Sequence, residues 1–241
     1  MGWISEFLEG LRGREAAAED VLAEPLVERD APPVEERNLT AEEQVRFEHE
    51  HAARFVSDMT PKDRAFVFQC FDEMWEENGK QAVYLPANRP LYHAGLVREK
   101  AEVEDWPMFL SPEPKGCDSY SGMVNSAMGE VRSALVVETT APRRLADFSA
   151  STIDFSNPGS TPMGRLTEFT GAAADKTRAH LARAWCTERR IDGYERRNAD
   201  EILIASPRES LRTLEALDMD SFRGKYLTSK KPSRARPDEE R

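Results

Sequence analysis

Three side chains in this sequence carry groups that chemistry could use, and each stands at an edge of local structure: His93, Tyr120 and Glu201. His93 lies in "PLYHAGL", residues 90–96, where an apolar run meets a histidine and then loses its bulk at Ala94 and Gly95. A plain core strand would continue in branched residues. Gly95 permits close approach of the backbone to a flat ligand; the plainer alternative is a turn after a short strand. Tyr120 lies in "MFLSPEPKGCDSYSG", residues 108–122, where a strand ends in Ser111 and a Pro-rich turn leads into a helix. A tyrosine there serves core, surface or a flat ligand ring. Glu201 directly precedes Ile202-Leu203-Ile204. A carboxylate at such a boundary is either solvated at a strand mouth or placed to stabilise positive charge developing beside a core.

The elements that must hold these groups follow a helix-first order. "LTAEEQVRFEHEHAARFVSDM" opens with Thr40 and Glu43, a capping-box pattern. "TPKDRAFVFQCFDEMWEENGK" restarts with Thr60 as cap and Pro61 as first helical residue. Phe66, Val67, Cys70, Phe71 and Met74 then make a core-facing stripe, and Asn78-Gly79 ends it. His49 and His51 are two apart on the first of these helices, so they point apart and make poor joint metal ligands. Beyond Gly79, residues 81–86, 90–94, 107–111, 133–140, 191–195 and 200–206 read as strands, and 116–128 and 164–190 as helical. Helices followed by strands interrupted by helices predict an α+β fold. The expected organisation is an acidic helix and linker over 1–38, a helical extension over 39–79, a main domain over 80–218 and a mostly disordered charged tail over 219–241.

Charge is concentrated at the front. Residues 1–50 hold 14 Asp/Glu against 5 Lys/Arg, while the other 191 residues hold 30 against 28. The body is therefore near neutral and makes no general case for nucleic acid. Its basic pairs at 143–144, 189–190 and 196–197 read as solvated loops, or as an acceptor-facing surface in the last case. The amphipathic stretch over 3–23 is suited to docking a partner, and its acidity argues against anionic lipid. Three isolated cysteines, no basic-apolar leader and no long apolar run predict a soluble intracellular chain with no membrane span and no metal site.

Taken in order, "LYHAG", "MFLSPEP…SYSG", an apolar strand followed by "APRRLADFS", and "DGYERRNADEILIASP" resemble the ADP-ribosyltransferase superfamily, in its His-Tyr-Glu branch. That branch is shared by diphtheria-type toxins and poly-ADP-ribose polymerases, and the resemblance spans about residues 80–215. It implies split antiparallel sheets and NAD as the substrate. It implies that His93 bonds a ribose hydroxyl and that Ala94 or Gly95 holds the nicotinamide amide. Tyr120 would stack on the ring, and Ser111 is a polar contact. Glu201 would stabilise the oxocarbenium ion, as a carboxylate does in glycosidases. The family places glycine directly after the histidine, where this chain has Ala94. The branch with Arg in the first strand fits less well, because position 199 is Ala. The function expected is mono-ADP-ribosylation of an acceptor, a protein in preference to nucleic acid. The alternatives are an inert NAD-binding or interaction module of the same fold and an RNA 2′-phosphotransferase-like enzyme.

Overall fold

A computed structural model describes residues 40–95, 103, 105–128, 133–150, 158–170 and 174–228. The expected helix over 3–23, its linker and the end of the tail lie outside these residues. Helix α1 (Ala41–Ser57) starts on the anticipated capping box: Thr40 Oγ1 accepts from the Glu43 amide at 3.3 Å, and Glu43 accepts from the Thr40 amide at 2.8 Å. Helix α2 (Pro61–Glu76) starts on Thr60, whose hydroxyl accepts from the Asp63 amide at 3.1 Å. After α2 the chain turns through Gly79 (φ 64°) and Lys80 (φ 55°), and the Trp75 indole donates to the Gln81 carbonyl at 2.7 Å. This fixes the entry into the first strand.

Eight strands follow among the described residues: β1 (Ala82–Leu85), β2 (Pro90–Gly95), β3 (Met108–Leu110), β4 (Ser133–Thr139), β5 (Arg143–Asp147), β6 (Gly193–Arg196), β7 (Glu201–Ile204) and β8 (Leu211–Asp218). They form a five-stranded sheet in the order β1-β5-β6-β7-β3 and a three-stranded sheet in the order β2-β4-β8. The sheets join at one antiparallel bridge, in which Tyr92 and Ser111 exchange backbone bonds of 3.0 and 2.8 Å. The intervening helices are α3 (Pro114–Met128), α4 (Pro162–Thr170), α5 (Ala174–Arg189), the short α6 (Pro207–Ser210) and α7 (Met219–Tyr226).

Side-chain alternation along the strands creates three apolar layers. Leu91, Leu135, Val137, Ile202 and Ile204 meet between the two sheets. Their neighbours point outward. Leu203 and Tyr194 pack with Phe71 of α2, Met163 of α4 and Trp185 of α5, whereas Tyr92, Ala94, Ala134 and Val136 pack with Cys117 of α3 and Phe222 of α7. Cys70 and Cys186 lie in the first helical layer and Cys117 in the second; all three thiols are free and buried. Trp185 centres the larger layer. It is fully buried, its ring centroid is 5.4 Å from Phe71 and 5.5 Å from Phe148, and its indole donates to Asp72 at 2.9 Å.

The α+β class is as expected, with differences in detail. The β5–β6 pair is parallel, so the larger sheet is mixed rather than purely antiparallel. The helical stretch expected over 164–190 is two helices, α4 and α5. Residues 61–76 are not an appended extension, because α2 supplies Val67, Phe68, Cys70, Phe71, Met74 and Trp75 to the main core. The region expected as tail begins with α7, capped by Asp218 and anchored by buried Met219 and Phe222. No helix among the described residues is long and apolar enough to cross a membrane.

Candidate active site around Glu201

Glu201 opens β7 after a tight turn in which Asp200 takes a left-handed backbone (φ 49°). Its cross-strand neighbour on β6 is Arg196. The period of two puts Tyr194 on the same face as Arg196, so one hairpin presents a phenol, a guanidinium and a carboxylate together. The Tyr194 hydroxyl donates to Glu201 Oε1 at 2.9 Å, and Arg196 Nη1 lies 3.7 Å from that oxygen. The other oxygen, Oε2, accepts from Arg178 Nη2 of α5 at 3.2 Å. The carboxylate is thus ringed by donors, and the Glu201 side chain as a whole keeps 18% of its surface exposed. Tyr194 itself is fully buried, and burial together with the Glu201 charge holds its phenol far above the ordinary range.

Arg178 links this carboxylate to the other expected residues. The same Nη2 donates to Asp175 Oδ1 at 3.3 Å, and Asp175 Oδ2 accepts from the Tyr120 hydroxyl at 3.5 Å. The guanidinium carbon lies 4.9 Å from the centre of the Phe109 ring. The Phe109 carbonyl is 2.8 Å from His93 Nδ1. Since a carbonyl only accepts, Nδ1 carries the proton. Burial and, to a lesser degree, Lys176 hold the His93 pKa below its ordinary value against the opposing Phe109 bond. The ring is thus neutral, with Nε2 left as an acceptor. Tyr120 is pushed up to about 12, by burial first and then by Asp175. Tyr120 and Glu201 are therefore joined through Asp175 and Arg178, while His93 is tied to this group only through the Phe109 backbone carbonyl; the three stand on three separate elements.

The remaining expected contacts divide. A Cβ added at Gly95 would lie 2.7 Å from His93 Nε2, so the absent side chain makes room for the imidazole of the same strand. Ala94 is buried in the layer under α3 and α7, so its side chain does not face the cluster. Ser111 caps the turn into α3: its hydroxyl donates to the Glu113 carbonyl at 2.7 Å and accepts from the Glu113 amide at 3.1 Å. That hydroxyl is engaged locally through its one proton and one of its two lone pairs.

Tyr194, Arg178 and Asp175 were not singled out from the sequence, and Arg196, expected in a solvated or acceptor-facing loop, is instead buried at the end of β6 beside Glu201. Tyr194 and Arg196 had a signal: residues i and i+2 on a strand facing a glutamate across a short hairpin. Arg178 and Asp175 had none, because only the packing of α5 brings them to β7 and α3. Among the described residues no group of three or more His, Cys, Asp or Glu is arranged to hold a metal ion. No family model, curated protein or solved structure matches the chain.

Proposed function

We propose that the chain is an NAD-dependent mono-ADP-ribosyltransferase. The observation that carries this reading is Glu201, ringed by Tyr194, Arg196 and Arg178 and joined to Tyr120 through Asp175, with His93 on the adjoining strand β2. Two separate sheets support the reading in part, since the resemblance implies antiparallel sheets and the β5–β6 pair is parallel. In the reaction, the bond between nicotinamide nitrogen and ribose breaks with its electron pair leaving on neutral nicotinamide. Positive charge develops on the ribose, and the Glu201 carboxylate faces it. The acceptor's lone pair then closes on the ribose carbon, and the acceptor gives up its proton. His93 Nε2 accepts from a ribose hydroxyl, and the Tyr120 and Phe109 rings are the aromatic surfaces near the carboxylate that receive nicotinamide. Tyr194 and Arg196 hold the carboxylate in place through the step.

The test is release of free nicotinamide from NAD, with water or a lysate supplying the acceptor. Glu201→Gln keeps the shape and removes the charge, and is expected to lower release by about 10²- to 10³-fold. Equal release by both proteins, or none by the wild type with acceptor present, refutes the reading.

A second reading, an inert NAD-binding module, draws on the ion pair between Arg178 and Glu201, which leaves the carboxylate already engaged. NAD binding without nicotinamide release identifies it. No observation favours phosphate transfer from RNA: Arg143, Arg189 and Arg197 of the basic pairs are matched by Asp192, Asp72, and Asp147 with Glu195.

A further inference from the structure

The Arg178 guanidinium is a flat organic cation seated between an aromatic ring and a carboxylate. Its carbon is 4.9 Å from the Phe109 centroid, and its Nη2 is 3.2 Å from Glu201 Oε2. The same two surfaces would receive a pyridinium ring: a π face on one side and a negative charge on the other. The seat is well made, but Arg178 fills it incompletely. Its Nε is buried and has no acceptor among the described residues, and its Nη1 reaches only the Met163 sulfur at 3.8 Å. Arginine–carboxylate ties are frequently bidentate, with the planar fork giving two donors to one carboxylate. Here one nitrogen, Nη2, serves both Glu201 and Asp175.

The geometry also supplies a way out. Asp175 lies three residues before Arg178 on α5, with 57% of its side chain exposed, and already accepts from the same nitrogen. Swinging toward Asp175 keeps the guanidinium paired while clearing Glu201. The carboxylate that remains is still held by Tyr194 and Arg196.

We infer that Arg178 is an internal occupant of a flat-cation subsite formed by Phe109 and Glu201, and that a cationic ligand must displace it to bind. The identity of that cation, a nicotinamide ring, rests on the transferase reading; the displacement does not require turnover. Affinity for the ligand is reduced in proportion to the fraction of molecules in which Arg178 is seated.

The experiment is titration of the protein with the 1-methylnicotinamide cation, which has no glycosidic ribose to cleave, followed by calorimetry. Arg178→Met and Arg178→Gln are compared with the wild type after circular dichroism has verified the fold. The Gln variant keeps a hydrogen-bonding side chain beside Glu201 if the apolar change disturbs packing. Both variants are expected to bind about tenfold more tightly than the wild type. Methylguanidinium should compete with the ligand in the variants, since it replaces the group removed. Unchanged or weaker affinity in the folded variants, or no binding to them at millimolar ligand, overturns the inference. Failure of the transferase reading appears separately, as absence of nicotinamide release while the cation still binds more tightly to the variants.

Discussion

Replacing Gly193 by alanine is expected to cost more than about 4 kcal/mol and to lower the melting midpoint by roughly 10 °C or more. Gly193 opens β6 and is paired on both sides, with Leu145 of β5 and Ile204 of β7. A Cβ built there would lie 1.9 Å from the Leu203 carbonyl oxygen and 3.3 Å from the Ile204 Cα. Both are backbone atoms of a strand locked in the middle of the sheet, so no side-chain rotation relieves the overlap. β6 and β7 must separate, and they carry Tyr194, Arg196 and Glu201. The damage therefore reaches the cluster as well as the core. Thermal melting followed by circular dichroism checks this; a variant that melts within a few degrees of the wild type would show that the strands yield cheaply.

The second large effect is loss of stability in acid. His49 of α1 and His180 of α5 lie 3.1 Å apart, Nδ1 to Nε2, and His49 stacks on Trp106 with centroids 4.6 Å apart. One ring donates and the other accepts, which doubly protonated imidazoles cannot do. Burial holds His49 down to about 3, with His180, Lys176 and His93 adding to the effect; burial and then Arg183 hold His180 down to about 4. Both folded values lie below the ordinary histidine value of about 6.5. Between them and that value the unfolded chain binds protons that the folded chain does not, so stability falls as pH falls. The contribution is complete above about pH 6.5 and is lost progressively toward pH 4 and 3. At pH 5 each ring accounts for on the order of 2 kcal/mol at most. Urea unfolding at pH 7.5, 6 and 5 measures the slope. His49→Gln combined with His180→Gln should flatten it, and an unchanged slope would assign the acid response to other groups.

What the sequence revealed and what it hid have the same physical origin. The starts of α1 and α2 were legible because Thr40 with Glu43, and Thr60 with Pro61, act over one helical turn. β7 was legible because Ile202-Leu203-Ile204 is buried on both faces and leaves a continuous apolar run. β5 was not, since Arg143 and Arg144 at its start look like a loop and only Leu145 and Ala146 supply apolar bulk. β8 was hidden by leucines at 211, 214 and 217, spaced by three as on a helix; in the structure Leu214 faces solvent. His93, Tyr120 and Glu201 stood out by residue type and local context. Asp175 and Arg178 did not, because an arginine on a polar helix looks solvated until the fold turns it toward a carboxylate 23 residues away in sequence.

The three buried thiols make the chain its own recorder of breathing. Burial pushes Cys70 up to about 11 and Cys117 up to about 12, and raises Cys186 as well. Alkylating reagents require thiolate, so the native molecule is silent to them and each labelling event dates an opening. Cys117 reports on the helices that cover the smaller sheet, and Cys70 and Cys186 report on those that cover the larger one. Peptide-resolved labelling rates would then distinguish one cooperative unit from two halves that loosen independently, without any label having been engineered into the protein.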